Sequence, residues 1–216
     1  TSITEAVWIE SQSDNAALIG SEIINFRDAT LITGTTYRLS GLKRGRRGTD
    51  WATAGHGSSE TFVLLTSATV KRVQMPAAQM NSALDYKAVT FDLDILLAAS
   101  TSFTVTGVWA TPFSGQDAEG ARDGSNNLTV TWTRRDRRWF DEWVGAVPMS
   151  EDSEAYEVDV MSGASVLRTI SVTAESALYT AAEQTTDGLT PGDPVEFNIY
   201  QISAAVDRGY ALNATV

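Results

Sequence analysis

The chain contains no cysteine and a single histidine in 216 residues. Without cysteine there is no disulfide framework and no thiolate metal centre. With His56 as the one imidazole, histidine-rich zinc constellations are excluded, and only that residue is left for Ser-His or Cys-His chemistry. Long apolar runs are also missing. The longest, Ile95 to Ala99, falls far below the roughly 18 residues of a membrane-spanning helix. No basic-then-apolar leader opens the chain, so no secretory signal is expected. The first residue is not Met, which suggests the excised C-terminal end of a longer protein, although a processed chain would look the same.

Lysine is absent from one half altogether. Residues 1–100 carry nine Lys or Arg against ten Asp or Glu, whereas residues 101–216 carry seven Arg, no Lys and seventeen acids. Nearly all of the net charge of −11 therefore sits in the second half. The composition break near residues 100–102 is the best domain boundary, giving one domain of residues 1–100 and another of residues 101–216. So acidic a second half lacks the cations that phosphate contacts need, which argues against a nucleic-acid partner. The plain reading is a solvated negative surface.

What is present begins with a basic run. Five of the sixteen basic residues fall in YRLSGLKRGRRGT, Tyr37 to Thr49, interleaved with Gly41, Gly45 and Gly48. Glycine at that density marks backbone that turns sharply or approaches something closely. The run reads as the end of a strand leading into a basic loop, either a solvated turn or a docking surface for something anionic. Lys43, Arg44, Arg46 and Arg47 are candidates for contact with phosphate or an acidic neighbour subunit; the plainer alternative pairs them with acids of their own domain such as Asp28 and Asp50. Trp51 is either a partly buried packing residue or a ligand platform. The glycine spacing fits no phosphate-binding P-loop.

Strand signals dominate the rest, from Ile, Thr, Tyr and Phe content in residues 22–42 and from period-two alternation in residues 89–93 and in the second half. In the first half, strands are expected over residues 22–32, 36–42, 61–65, 69–73 and 89–93, with a hairpin turn at Thr33-Gly34-Thr35 and one or two helical turns in residues 77–84. That suggests a small β-barrel or sandwich. In the second half, Leu128, Val130 and Trp132 alternate with threonines. Tyr156, Val158 and Val160 alternate with Glu157 and Asp159, which should lie on the wet face. Further strands are expected over residues 166–172, 195–202 and 210–216, the spacing of a Greek-key sandwich.

Two long loops interrupt this pattern. Residues 114–127 hold few large apolar groups and should be exposed and mobile; their acids could collect calcium, though the spacing matches no EF-hand. In residues 134–150, four arginines precede Trp139, Phe140 and Trp143. These arginines could pair with Asp136, Asp141 and Glu142 while the aromatics cover a sandwich edge. Alternatively the exposed rings could stack on sugar faces. His56, in Ala54-Gly55-His56-Gly57, reads as polar loop filler or a turn hydrogen bond.

The basic run, with GSEIINFRDATLI before it and His56 and ETFVLL after it, resembles the C-terminal region of phage tail-tip proteins. These are the baseplate hub, or host-specificity, proteins of siphophage-like tails and of gene transfer agents. LTVTWTRRDR and VEFNIYQISAAVDRGYALNATV resemble the fibronectin-III-like domain that often closes such proteins. The resemblance implies Trp132 in the core of one sheet with Phe197 opposite it on the other. It further implies a virion structural part at the tail tip, made in the host cytoplasm and trimeric in the full-length assembly. Its partners would be other tail and baseplate proteins and a host receptor or glycan.

The expectation is an all-β, two-domain, non-catalytic protein with no cofactor, no metal, no nucleic-acid partner and no membrane insertion. Its candidate contact residues are Lys43, Arg44, Arg46, Arg47, Trp51, Trp139, Phe140 and Trp143. The alternative is a carbohydrate-binding module.

Overall fold

The computed structural model describes residues 2–11, 13–68, 70, 71, 73–137 and 147–216. A short helix, α1 (Glu5–Glu10), is capped by the Thr4 side chain, which accepts from the Val7 N–H. Four antiparallel strands follow: β1 (Ala16–Ile19), β2 (Glu22–Thr33), β3 (Thr36–Lys43) and β4 (Phe62–Leu64), in the order β3-β2-β1-β4. The β2–β3 hairpin turns at the expected Thr33-Gly34-Thr35, with Gly34 at φ 53°. Alternation along β2 sends Ile24 and Phe26 inward, where they meet Ala17 in a small core flanked by Ile19, Ala29 and Leu39.

Next comes a separate two-stranded ribbon, β5 (Ala83–Lys87) and β6 (Ser100–Thr104), paired Leu84 to Phe103 and Tyr86 to Thr101. The composition break at residues 100–102 falls inside β6.

The rest is a two-sheet sandwich. One sheet holds β7 (Gln116–Arg122), β8 (Leu128–Thr133) and, beyond the next two strands in sequence, β11 (Ser176–Tyr179). The other is built from β9 (Tyr156–Ser162), β10 (Ser165–Val172), β12 (Glu196–Ser203), β13 (Asp207–Arg208) and β14 (Leu212–Thr215), with β10 paired to β9 and the remaining strands gathered on β12. A helix, α2 (Ala181–Thr186), links β11 to β12 and starts with a capping box between Thr180 and Glu183. The strand orders β7-β8-β11 and β10-β9-β12-β14 describe a Greek-key sandwich of fibronectin-III type. Trp132 from β8 and Phe197 from β12 are buried on opposing sheets, as expected. Trp132 meets Tyr156, and Tyr179 meets Phe197, edge to face.

Several expectations need correction. Residues 89–93 form no strand: Asp92 takes φ 65° and the Leu93 N–H closes a turn on the Thr90 carbonyl. Alternation there lacks a surface to pack against. Of residues 69–73, the described Val70, Lys71 and Val73 also lie outside any strand, and Thr69 and Arg72 lie outside the described residues. Residues 77–84 make one 3-10 turn, Ala77–Gln79, before the chain extends into β5. Much of the supposed loop 114–127 is the edge strand β7, in which Gly120 packs against Val216 and leaves no room for a side chain. Asp123, one of the acids that might have met calcium, instead closes the β7–β8 turn by accepting from Ser125 and Asn127. Asp159 is not on a wet face. It is 2% exposed, covered by Arg208, which also holds Glu157 and lies over the Tyr200 ring.

Candidate functional site

The basic run is organised by an acid. Alternation puts Glu22 on the same face of β2 as Ile24 and Phe26, and its side chain is 1% exposed. A carboxylate so placed requires donors. Arg44 supplies a fork, Nε at 2.7 and 2.9 Å and Nη2 at 2.6 Å, and the Gly45 N–H adds another bond at 2.7 Å. His56 Nε2 lies 2.7 Å from the same carboxylate, while its Nδ1 lies 2.5 Å from Glu60 Oε2. With carboxylate oxygens at both ring nitrogens, both must carry protons, so the imidazole is a cation.

Burial pushes the Glu22 carboxyl up, but the bonds from Arg44, Gly45 and His56 outweigh it and hold the group below its ordinary range. His56 is held above 6.5 by Glu60 first and Glu22 second. The network fastens the 53–60 loop and the end of β3 onto β2.

This arrangement divides the basic candidates. Arg44 is committed to Glu22 and to the Thr53 carbonyl. Lys43 donates to the carbonyls of Trp8 and Ile9 at the end of α1, with its ammonium 4.9 Å from the Trp8 ring centroid. The expected partners Asp28 and Asp50 are taken instead by Arg27 and Arg135. Arg46 and Arg47 make no salt bridge among the described residues; Arg47 is exposed, and Arg46 Nε is buried without a hydrogen-bond partner.

Beyond the arginines the loop meets the sandwich. Gly48 takes φ 75°, and a Cβ there would lie 2.2 Å from the Phe113 ring, so only glycine fits. Asp50 accepts from Ser114 and Arg135, each at 2.8 Å. Trp51 is 52% exposed and stacks on Tyr210 with centroids 5.3 Å apart. Asp50, Trp51, Ser114 and Arg135, with Gln116, Asp117 and Asn213, line an open cleft of about 520 Å³.

Trp139, Phe140 and Trp143 lie outside the described residues. Of the neighbouring arginines, Arg134 pairs with Glu154, Arg135 with Asp50 and Arg137 with Glu151. Asp136 accepts from the Ser150 N–H and hydroxyl, and Arg138, Asp141 and Glu142 of the expected pairing lie outside the described residues. Among the described residues no group of three or more His, Asp or Glu could hold a metal ion. The sequence reading missed Glu22, Glu60, Phe113 and Tyr210. Only Glu22 carried a signal, an acid in phase with the apolar face of a strand.

The geometry defines the class: an all-β chain whose C-terminal part is a fibronectin-III-like sandwich. Residues 1–63 match a family described as Rcc01698-like, C-terminal. No curated protein matches the chain. Among solved structures, domains d3–d4 of the rat CD45 extracellular region are similar over 88% of this chain and 93% of that one, at 13% identity and TM-score 0.37. The chicken CNTN1 FN1–FN3 domains are similar over 100% of this chain and 59% of that one, at 11% identity and TM-score 0.35. The FN5 domain of Drosophila Lar covers 49% of this chain and 96% of its own, at 14% identity and TM-score 0.27. Similarity at this level concerns fold alone, and the sandwich is defined by its own strand order and core.

Proposed function

We propose that this chain is a non-catalytic structural and host-interaction part of a phage or phage-like tail tip, belonging to the baseplate hub. The observation that supports this reading is the match of residues 1–63 to the Rcc01698-like, C-terminal family. That segment contains the whole Glu22–His56–Glu60 network and the basic loop. In this reading Arg46 and Arg47 meet acidic groups on neighbouring tail proteins, and the sandwich faces the host surface. The full-length protein assembles as a trimer in the virion after synthesis in the host cytoplasm. An antibody against the sandwich, viewed on intact particles by electron microscopy, is expected to mark the distal end of the tail. Particles without label, or labelled along the tube, would end the reading.

A second reading has its own support: the half-exposed Trp51 beside Asp50, Asp117, Arg135 and Asn213 offers an aromatic face ringed by polar groups, as a sugar ring requires. A host oligosaccharide that binds the wild-type chain and not Trp51→Ala would favour it. No binding across a glycan array would dispose of it.

A further inference from the structure

The outer face of the larger sandwich sheet divides into two parts. Phe197 and Ile199 turn inward along β12, so Glu196, Asn198 and Tyr200 turn outward. In register, Asn198 lies between Asp159 of β9 and Asn213 of β14, and Glu196 lies between Met161 and Thr215. On one part of this face the polar groups satisfy one another: Arg208 holds Glu157 and Asp159, and Thr169 donates to Asp159. On the other, Glu196, Asn198, Asn213 and Thr215 have no side-chain hydrogen bond or ion pair among the described residues. With Met161 they line an open hollow of about 220 Å³. Asn213 also lines the cleft beside Trp51, so the two hollows adjoin at that residue.

We propose that this hollow is the second subsite of one trough, and that the trough takes a linear, uncharged oligosaccharide running from Trp51 past Asn213 onto the outer sheet face. The inference rests on the sugar-binding reading of the Trp51 cleft and adds the length and charge of the ligand. A side-chain amide or hydroxyl both donates and accepts, as a sugar hydroxyl does, so the facing amides of Asn198 and Asn213 match hydroxyls in either role. Asparagine and threonine are also short, and holding them still costs less than holding Gln, Lys or Arg. Taken together, the hollows fall within the roughly 300–1,000 Å³ of ligand sites, room for on the order of three sugar rings. Charge excludes acidic chains. Glu196 lines one hollow and Asp117 the other, Arg135 is already paired with Asp50, and the whole chain carries −11. Among the described residues no cation lines the hollow on the sheet.

The test applies the full chain to an array of linear oligosaccharides of increasing length, neutral, uronate-bearing and phosphorylated, followed by calorimetry with the best-binding neutral series. Affinity is expected to rise about tenfold or more from two units to four, because the added rings gain hydrogen bonds in the second hollow. Asn198→Ala and Thr215→Ala should each lower the ratio of four-unit to two-unit affinity about fivefold, the worth of one hydrogen bond. Near-ultraviolet circular dichroism of the sandwich aromatics checks that each variant is folded. A neutral series bound equally at two and four units, or a ratio that survives both substitutions, would overturn the trough and leave the Trp51 site standing. A preference for acidic chains would overturn it as well. No binding to any chain would end both readings.

Discussion

The sandwich and the region before it are both antiparallel, but they are held together differently. Among the described residues, eleven buried apolar residues form the sandwich core, contributed by both sheets, whereas the buried cluster of the N-terminal sheet is Ala17, Ile24 and Phe26. The smaller core is supplemented by polar work: a buried carboxylate with an arginine fork, a backbone N–H and an imidazolium around it. Apolar burial is non-directional and indifferent to pH near neutrality, whereas a charged network holds only while each member keeps its protonation state. The two regions should therefore fail under different conditions.

The largest effect is expected in the sandwich. Phe197→Ala removes an aromatic ring from between the sheets and should cost about 3–5 kcal/mol, read by denaturant unfolding followed through tryptophan fluorescence. A smaller cost would mean that the core collapses around the gap and that the contrast with the N-terminal sheet is overstated. Next comes the junction. Gly48→Ala sets a methyl group against Phe113, and overpacking of this kind should cost about 1–3 kcal/mol. Faster proteolysis near Phe113 in that variant, with the sandwich midpoint unchanged, would mark the junction as a separate unit.

Glu22→Gln should cost about 1–3 kcal/mol, because Arg44 and His56 then face a neutral amide. Hydrogen exchange in β1 to β3 should rise while exchange in β8, β9 and β12 stays constant. Equal increases in both regions would erase the distinction.

The smallest effect, and the sharpest, is pH dependence. His56 has its folded pKa above 6.5, so its stabilisation is complete below that value and is lost as pH rises through the raised one. Glu22 and Glu60 are depressed, so their contribution is present above 4.5 and is lost as pH falls through the lower folded values. The N-terminal sheet should thus weaken on both sides of a mildly acidic optimum, and His56→Gln should flatten the alkaline side. As the only histidine, His56 gives one imidazole signal for NMR titration; a midpoint at or below the ordinary value would refute the network.

Much of the fold was legible wherever alternation met a buried face. The strands β8 and β9 follow apolar residues at every second position, β2 and β3 follow their Ile, Thr, Tyr and Phe content, and the β2–β3 turn follows its glycine. The failures share one cause. Val89, Phe91 and Leu93 alternate as well as any strand but pair with no neighbour among the described residues, whereas the polar β7 becomes a strand because β8 pairs with it and Val216 packs against Gly120. Periodicity describes a face, and only a neighbour makes that face buried. The glycines of the basic run correctly announced close approach, but what approaches, the Phe113 ring, lies 65 residues away from Gly48.

By itself the sequence determined that the chain is all-β, cannot rely on disulfides, and concentrates its acids in the second half, because composition and alternation are local properties of the chain. Tertiary structure alone decided that Glu22 gathers Arg44 and His56, that Lys43 serves a helix end, and that Arg47 is left exposed. Those outcomes depend on which distant donors reach a desolvated carboxylate first, and no local pattern encodes that distance.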